Sequence, residues 1–254
     1  MQAVPLIALF VLAVVLALGI IEGGYRAGRY MHRNSKQEKP VPVGGMVGAV
    51  LALLAFLLAF TFGIAANNFQ EKRRVLLAEA NAIGTAYLRT DLLTEPHRSA
   101  VRDMLREYVD IRLEAVRSGN IDEAVVRSEE LHVRLWAEAM ASAAEQPDSR
   151  LLGLFIDALN EVIDLHATRM QVSVRTRIPE TIWVALFIVA VMGLGSMGYQ
   201  TGLSGSSRSI AAVAVALAFS IVVWLVADLD RAREGMLRVS QQAMIDLQRS
   251  ISGP

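Results

Sequence analysis

Four stretches of this chain are long, apolar and almost free of charge, and no other feature limits its folding as tightly. They cover residues 3–21, 43–66, about 182–198, and 210–227. A helix of about 20 apolar residues spans the hydrocarbon of a bilayer, since each residue rises about 1.5 Å. Buried helices of soluble cores are usually shorter, and four of this length would need more covering chain than 254 residues supply. Inside lipid the backbone must pair its own polar groups, so each stretch reads as a helix. The expected architecture is an all-α membrane protein with four transmembrane helices and an inserted soluble antiparallel helical bundle.

The first stretch lacks the basic start and small-residue cleavage site of a signal peptide, and reads as a retained span. Small residues recur in the second and third. Gly44/Gly48 and Gly45/Ala49 have the spacing that lets two helix backbones approach closely, and Gly193, Gly195 and Gly198 follow the same habit. The divisions predicted are 1–66 for the first two spans and their basic loop, 67–178 for the bundle, 179–228 for the last two spans, and 229–254 for an amphipathic C-terminal helix.

An even number of spans puts both termini on the side of the inserted region. Basic residues near the span ends are Lys72, Arg73, Arg74, Arg169, Arg175, Arg177, Arg231, Arg233 and Arg238 on that side, against Arg26, Arg29, Arg33, Lys36, Lys39 and Arg208 on the other. The first set is larger, but the second contains a strongly basic short loop, and short loops weigh most in orientation. Charge leaves the two orientations nearly balanced.

Between 67 and 178 no strand signal occurs. Phe69, Leu76, Ala80, Ile83 and Tyr87 continue the second span at helical spacing to about Arg89. A further helix is expected from about Thr94, with Pro96 in its first turn and Val101, Leu105, Tyr108 and Arg112 on one face. Gly119 marks its stop. Asn120 and Glu123 have capping-box spacing for the next helix, which carries Leu131, Leu135 and Trp136. From 147–149 another begins, with Leu151, Leu152, Phe155, Leu159 and Val162 in a stripe.

Chemistry is sparse. Lysine plus arginine and aspartate plus glutamate number 25 each, so no net field points to nucleic acid. There is no cysteine, and His32, His97, His132 and His166 lack metal-ligand spacing. His166 beside Glu161 or Asp164 reads as packing rather than an acid–base pair. No enzyme activity, cofactor or metal is predicted. Polar residues cluster instead at the span ends: Asn67, Asn68, Asp228, Asp230 and Arg231 are candidates for interfacial anchors or the lining of a water-filled vestibule. In the second span Phe56 and Phe60, four residues apart, share a helix face. In an oligomer that face would form a ring of aromatics, and such hydrophobic constrictions gate pores by dewetting.

The run LAFLLAFTF at 54–62, KRR at 72–74 and EANAIGTAYLR at 79–89 resemble the bestrophin-like domain family of bacterial membrane proteins. Within the last run the family-motif positions are Glu79, Asn81, Gly84, Thr85 and Arg89. Asp228-Leu229-Asp230-Arg231, followed by Gly235 and Arg238-Val239-Ser240, is similar to its closing motif, with Ala232 where the family usually has proline. The resemblance implies kinship with bestrophins, which are pentameric anion channels with cytoplasmic termini and a cytoplasmic helical region. It therefore implies a multi-pass protein of the bacterial inner membrane, with the bilayer, a second copy of the chain and inorganic anions as partners. No counterpart of the animal calcium-binding acidic cluster is recognisable, and calcium is not expected. The competing expectation is a non-conducting scaffold or sensor whose helical region binds a partner.

Overall fold

The computed structural model describes residues 5–34, 44–206, 210–231 and 237–252, including their side chains except those of Val174 and Arg175. Lys36, Lys39, Arg208, Arg233, Ala232 and Gly235 lie outside the described residues. The described chain is helical without strands: α1 (Leu6–Asn34), α2 (Gly44–Arg89), a 3-10 turn (Thr90–Leu92), α3 (His97–Ser118), α4 (Ile121–Glu145), α5 (Arg150–Arg175), α6 (Glu180–Leu203), α7 (Ile210–Asp230) and α8 (Gln242–Ile251). It forms two compact units, residues 1–69 with 177–238, and residues 70–176 with 239–254. Helix α2 belongs to both, since no proline or cap interrupts its 46 residues.

In the first unit, α1, α2, α6 and α7 are each long and apolar enough to cross a membrane. Only small clusters are buried between them, such as Ala17, Ile21, Leu194 and Ala216. Ile7, Val15, Phe187, Ile188 and Ile210 all point outward. Water would not tolerate that much open apolar surface, whereas lipid or a second subunit covers it at no cost.

Helix α1 outlasts its apolar stretch by three turns. Charged residues mark where hydrocarbon ends but do not stop a helix: Glu22 accepts from Arg26 Nε at 2.8 Å, and His32 and Arg33 complement the helix C-terminus. This extension lies against α6 through glycines of both helices. A Cβ on Gly24 would sit 2.1 Å from the Gly195 carbonyl oxygen, and one on Gly28 the same distance from that of Tyr199. Reciprocally, Gly198 meets the oxygen of Ile21 at 2.1 Å and Gly202 that of Tyr25 at 2.2 Å. Backbone thus touches backbone along two turns of each helix, the arrangement small residues permit in lipid. In α2, by contrast, a Cβ on Gly44 would meet the Gln200 side chain, while Gly45 and Gly48 face open space.

The second unit has an ordinary globular core. Ile83, Val101, Leu105, Leu131, Leu135, Phe155, Leu159, Val162 and Met244 are buried together, from α2, α3, α4, α5 and α8. Each such side chain contributes about 1.5–3 kcal/mol by leaving water. Trp136 and Leu151, which the apolar pattern assigns to the stripes, are exposed. Helix α3 starts at His97, with Pro96 as its N-cap, and stops at Gly119, whose φ of +77° is left-handed and whose N–H donates to the Ala115 carbonyl at 3.1 Å. At the start of α4 no capping box forms. The Asn120 amide donates to the Glu123 carboxylate at 2.5 Å instead of accepting a backbone N–H, so the pair ties side chain to side chain.

His97 links α3 to α4. Its Nδ1 lies 2.6 Å from Glu138 Oε2 and its Nε2 3.3 Å from Glu145 Oε1. The hydrogen bond to Glu138 holds the imidazole above its ordinary pKa against the opposing effect of burial, with Glu145 adding to the rise. A raised folded pKa stabilises at pH below the unfolded value of 6.5, and that share disappears as pH climbs through the folded one. His97→Gln should therefore lower the melting temperature at pH 6 and leave it close to wild type at pH 8.5. Equal losses at both pH values would show that the contact is not ionic.

Candidate functional site

Two features of α2 stand out, one in each unit. In the first, Phe56 and Phe60 are 65% and 58% exposed, one turn apart on the outward face, while Leu54 and Thr61 turn inward. The Thr61 hydroxyl donates to the Leu57 carbonyl at 2.7 Å, which satisfies it without a partner from another helix. Leu53 and Phe62 widen the exposed apolar surface. Asn67 is exposed two turns beyond Phe60, and Asn68 is half-buried.

The acidic residues at the end of α7 hold backbone. Asp228 is buried and accepts the N–H of Leu237 at 3.1 Å, and Asp230 accepts the N–H of Ile178 at 2.9 Å. Asp230 thereby ties the approach to α6 to the end of α7. Arg231 is half-buried in the turn that follows.

In the second unit, Glu79 is fully buried at the centre of a polar hub to which four helices contribute. Its Oε1 accepts the Tyr108 hydroxyl of α3 at 2.8 Å and lies 3.4 Å from Arg112 Nε, also of α3. Its Oε2 accepts from Arg169 of α5, whose other terminal nitrogen reaches Gln241 Oε1 at 3.4 Å. Behind Tyr108, His166 Nδ1 of α5 approaches the phenol oxygen at 3.0 Å, and His132 of α4 packs edge-on against His166 with ring centroids 4.8 Å apart. Because the Tyr108 proton is given to Glu79, the short contact with His166 requires the imidazole to donate from Nδ1.

Two guanidiniums share one carboxylate, so the hub carries one net positive charge while its histidines are neutral. Burial pushes the Glu79 carboxyl up, but Arg169 and then Arg112, aided by hydrogen bonds from Arg169 and Tyr108, hold it below the usual carboxylate range. Burial drives the Tyr108 phenol well above its ordinary value, and the Glu79 charge adds to this. Burial also brings both imidazoles down to about 4, with Arg112 opposing their charged forms. The Glu79, Tyr108, Arg112, His132 and His166 side chains of this hub are all buried. Among the described residues no group of three or more His, Asp or Glu side chains could hold a metal ion.

The other motif residues follow Glu79 along α2. Asn81 and Thr85 are exposed. A Cβ on Gly84 would come within 3.3 Å of Leu247 of α8. Arg89 donates to the Leu154 carbonyl at 2.6 Å. Glu161 and Asp164 are exposed, and His166 turns from them to Tyr108. A signal for the hub exists in the sequence: Glu79 lies three residues after Leu76 and four before Ile83, on the apolar face. A carboxylate there must meet buried cations, and Arg112 on the apolar face of α3 is one.

Residues 7–244 match the family described as Bestrophin-like domain. Among solved structures, a crystal structure of a bacterial bestrophin homologue from Klebsiella pneumoniae superposes with a TM-score of 0.70 at 12% identity, covering 98% of this chain and 99% of that one. A second variant of that homologue gives 0.69 at 12% identity, covering 97% of each chain. Likeness at this identity is likeness of fold. No curated protein matches the sequence.

Proposed function

The chain belongs to the Bestrophin-like domain family, and from that we propose that it assembles into a homo-oligomeric channel for inorganic anions, with Phe56 and Phe60 of α2 as its constriction. The observation that carries this reading is the outward face of α2, where two large aromatics project from a span whose inward positions already pack. Copies arranged about an axis would bring these rings together, and a narrow apolar ring excludes water until it widens. Gly45 and Gly48, where an added Cβ would meet nothing within 4 Å among the described residues, would let neighbouring copies approach on the same helix. In this reading the termini and the second unit lie in the cytoplasm of a bacterial cell, and Asn67 opens onto the water-filled side of the constriction.

The absence of cysteine makes a direct test available. Phe60→Cys, as the sole thiol, should cross-link between copies in native membranes, and Ile188→Cys on α6 should not. Cross-linking at both positions or at neither would count against α2 as the axial helix. A non-conducting scaffold would also cross-link, so conduction needs its own measurement.

A further inference from the structure

The hub has polar atoms that the described contacts leave without partners. His132 Nε2 and His166 Nε2 are buried and have no hydrogen-bond partner among the described residues, whereas Arg112 Nε is held in its ion pair with Glu79 Oε1. With Nδ1 of His166 donating to Tyr108, its Nε2 presents a free lone pair, the natural landing place for a proton. The groups facing it are Glu79 of α2, Tyr108 and Arg112 of α3, His132 of α4, and Arg169 of α5, with Gln241 beyond Arg169. Only one of these is an anion, and both its oxygens are already engaged.

We propose that this hub is a proton-binding site: protons taken up at His166 Nε2 and on the His132 ring add charge that the single Glu79 carboxylate cannot meet, and loosen α4 and α5 from α2 and α3. A buried cation beside two guanidiniums, with no acceptor for its new N–H, is relieved only by admitting water. The helices supplying the histidines are the ones that must part for this. The low folded values of both imidazoles agree in sign: the folded state binds fewer protons than the unfolded, so stability drains away as pH falls from about 6.5 toward about 4. Glu79 contributes a separate loss at the acid end, because its folded value is also depressed. Conduction plays no part in this behaviour.

The test uses the full chain in detergent. His166→Asn keeps a donor near the Nδ1 position and cannot titrate, and His132→Met fills the neighbouring space. Wild-type melting temperature should fall steeply over that pH interval, and the double variant should lose at least half of the fall. An equally steep fall in both proteins would overturn the proposal. Should the variant fail to fold, the wild type answers by itself, because the chain has only four histidines. Isotope-labelled imidazole spectra at about pH 5.5 should show two neutral rings, one protonated at Nδ1, while all four titrating together near about 6.5 would refute it.

Discussion

Glu79→Ala is expected to destabilise the second unit by about 3–5 kcal/mol, the cost of leaving buried charge without its partner. Arg112 and Arg169 would face each other across an emptied site, and Tyr108 would lose its acceptor. Since a domain of this size is stable by only about 5–15 kcal/mol, the unit would approach unfolding near ambient temperature. Glu79→Gln should cost less than Glu79→Ala, because it preserves volume and one acceptor. Replacing Glu79, Arg112 and Arg169 together by leucine and methionine should recover most of the loss, as buried ion clusters often exchange for apolar packing at little net cost. Thermal melts of the three proteins would check the ordering. A Glu79→Ala protein within about 1 kcal/mol of wild type would mean that the hub contributes little.

The second large effect is expected in the first unit, from Gly198→Ala. Its new methyl would lie 2.1 Å from the Ile21 carbonyl oxygen, a distance only backbone displacement can relieve. Gly24→Ala faces the same obstacle at Gly195. Overpacking of this kind costs about 1–3 kcal/mol where side chains can yield, and backbone yields less. Each variant should lose monodispersity in detergent well below the wild-type temperature. Gly23→Ala, one residue away with nothing within 4 Å, should behave like wild type. Equal behaviour of the neighbouring variants would contradict the close α1–α6 contact.

These two sites differ in how far they can be read from sequence. The four spans are plain because an uncharged apolar run of that length is suited to little except lipid. The continuity of α2 is equally plain, since no breaker lies between Gly44 and Arg89. The contact of α1 with α6 is not. Gly44/Gly48 and Gly198/Gly202 share one spacing, yet Gly48 faces open space while Gly198 and Gly202 carry backbone contact. Spacing shows that close approach is allowed, and only the partner decides whether it occurs. The end of α1 is hidden for another reason: polarity changes at Glu22, but the helix runs to Asn34.

The hub is half legible. Glu79 and Arg112 both fall on apolar faces, which marks them as buried, but their meeting depends on the register of α3 and α5 against α2. His132 and His166 are far apart along the chain, and nothing local pairs them. Asn120 shows the converse error: the spacing of a capping box is present, but a hydrogen bond between the two side chains takes its place.

The most direct test of the proposed channel is electrical. Purified protein reconstituted in a planar bilayer under an asymmetric chloride salt should pass current that reverses near the chloride equilibrium potential. Phe56→Ala/Phe60→Ala should raise the open conductance several-fold by removing the aromatic ring. No current from correctly folded oligomer, or a conductance unchanged by the double substitution, would contradict a channel with its constriction on α2.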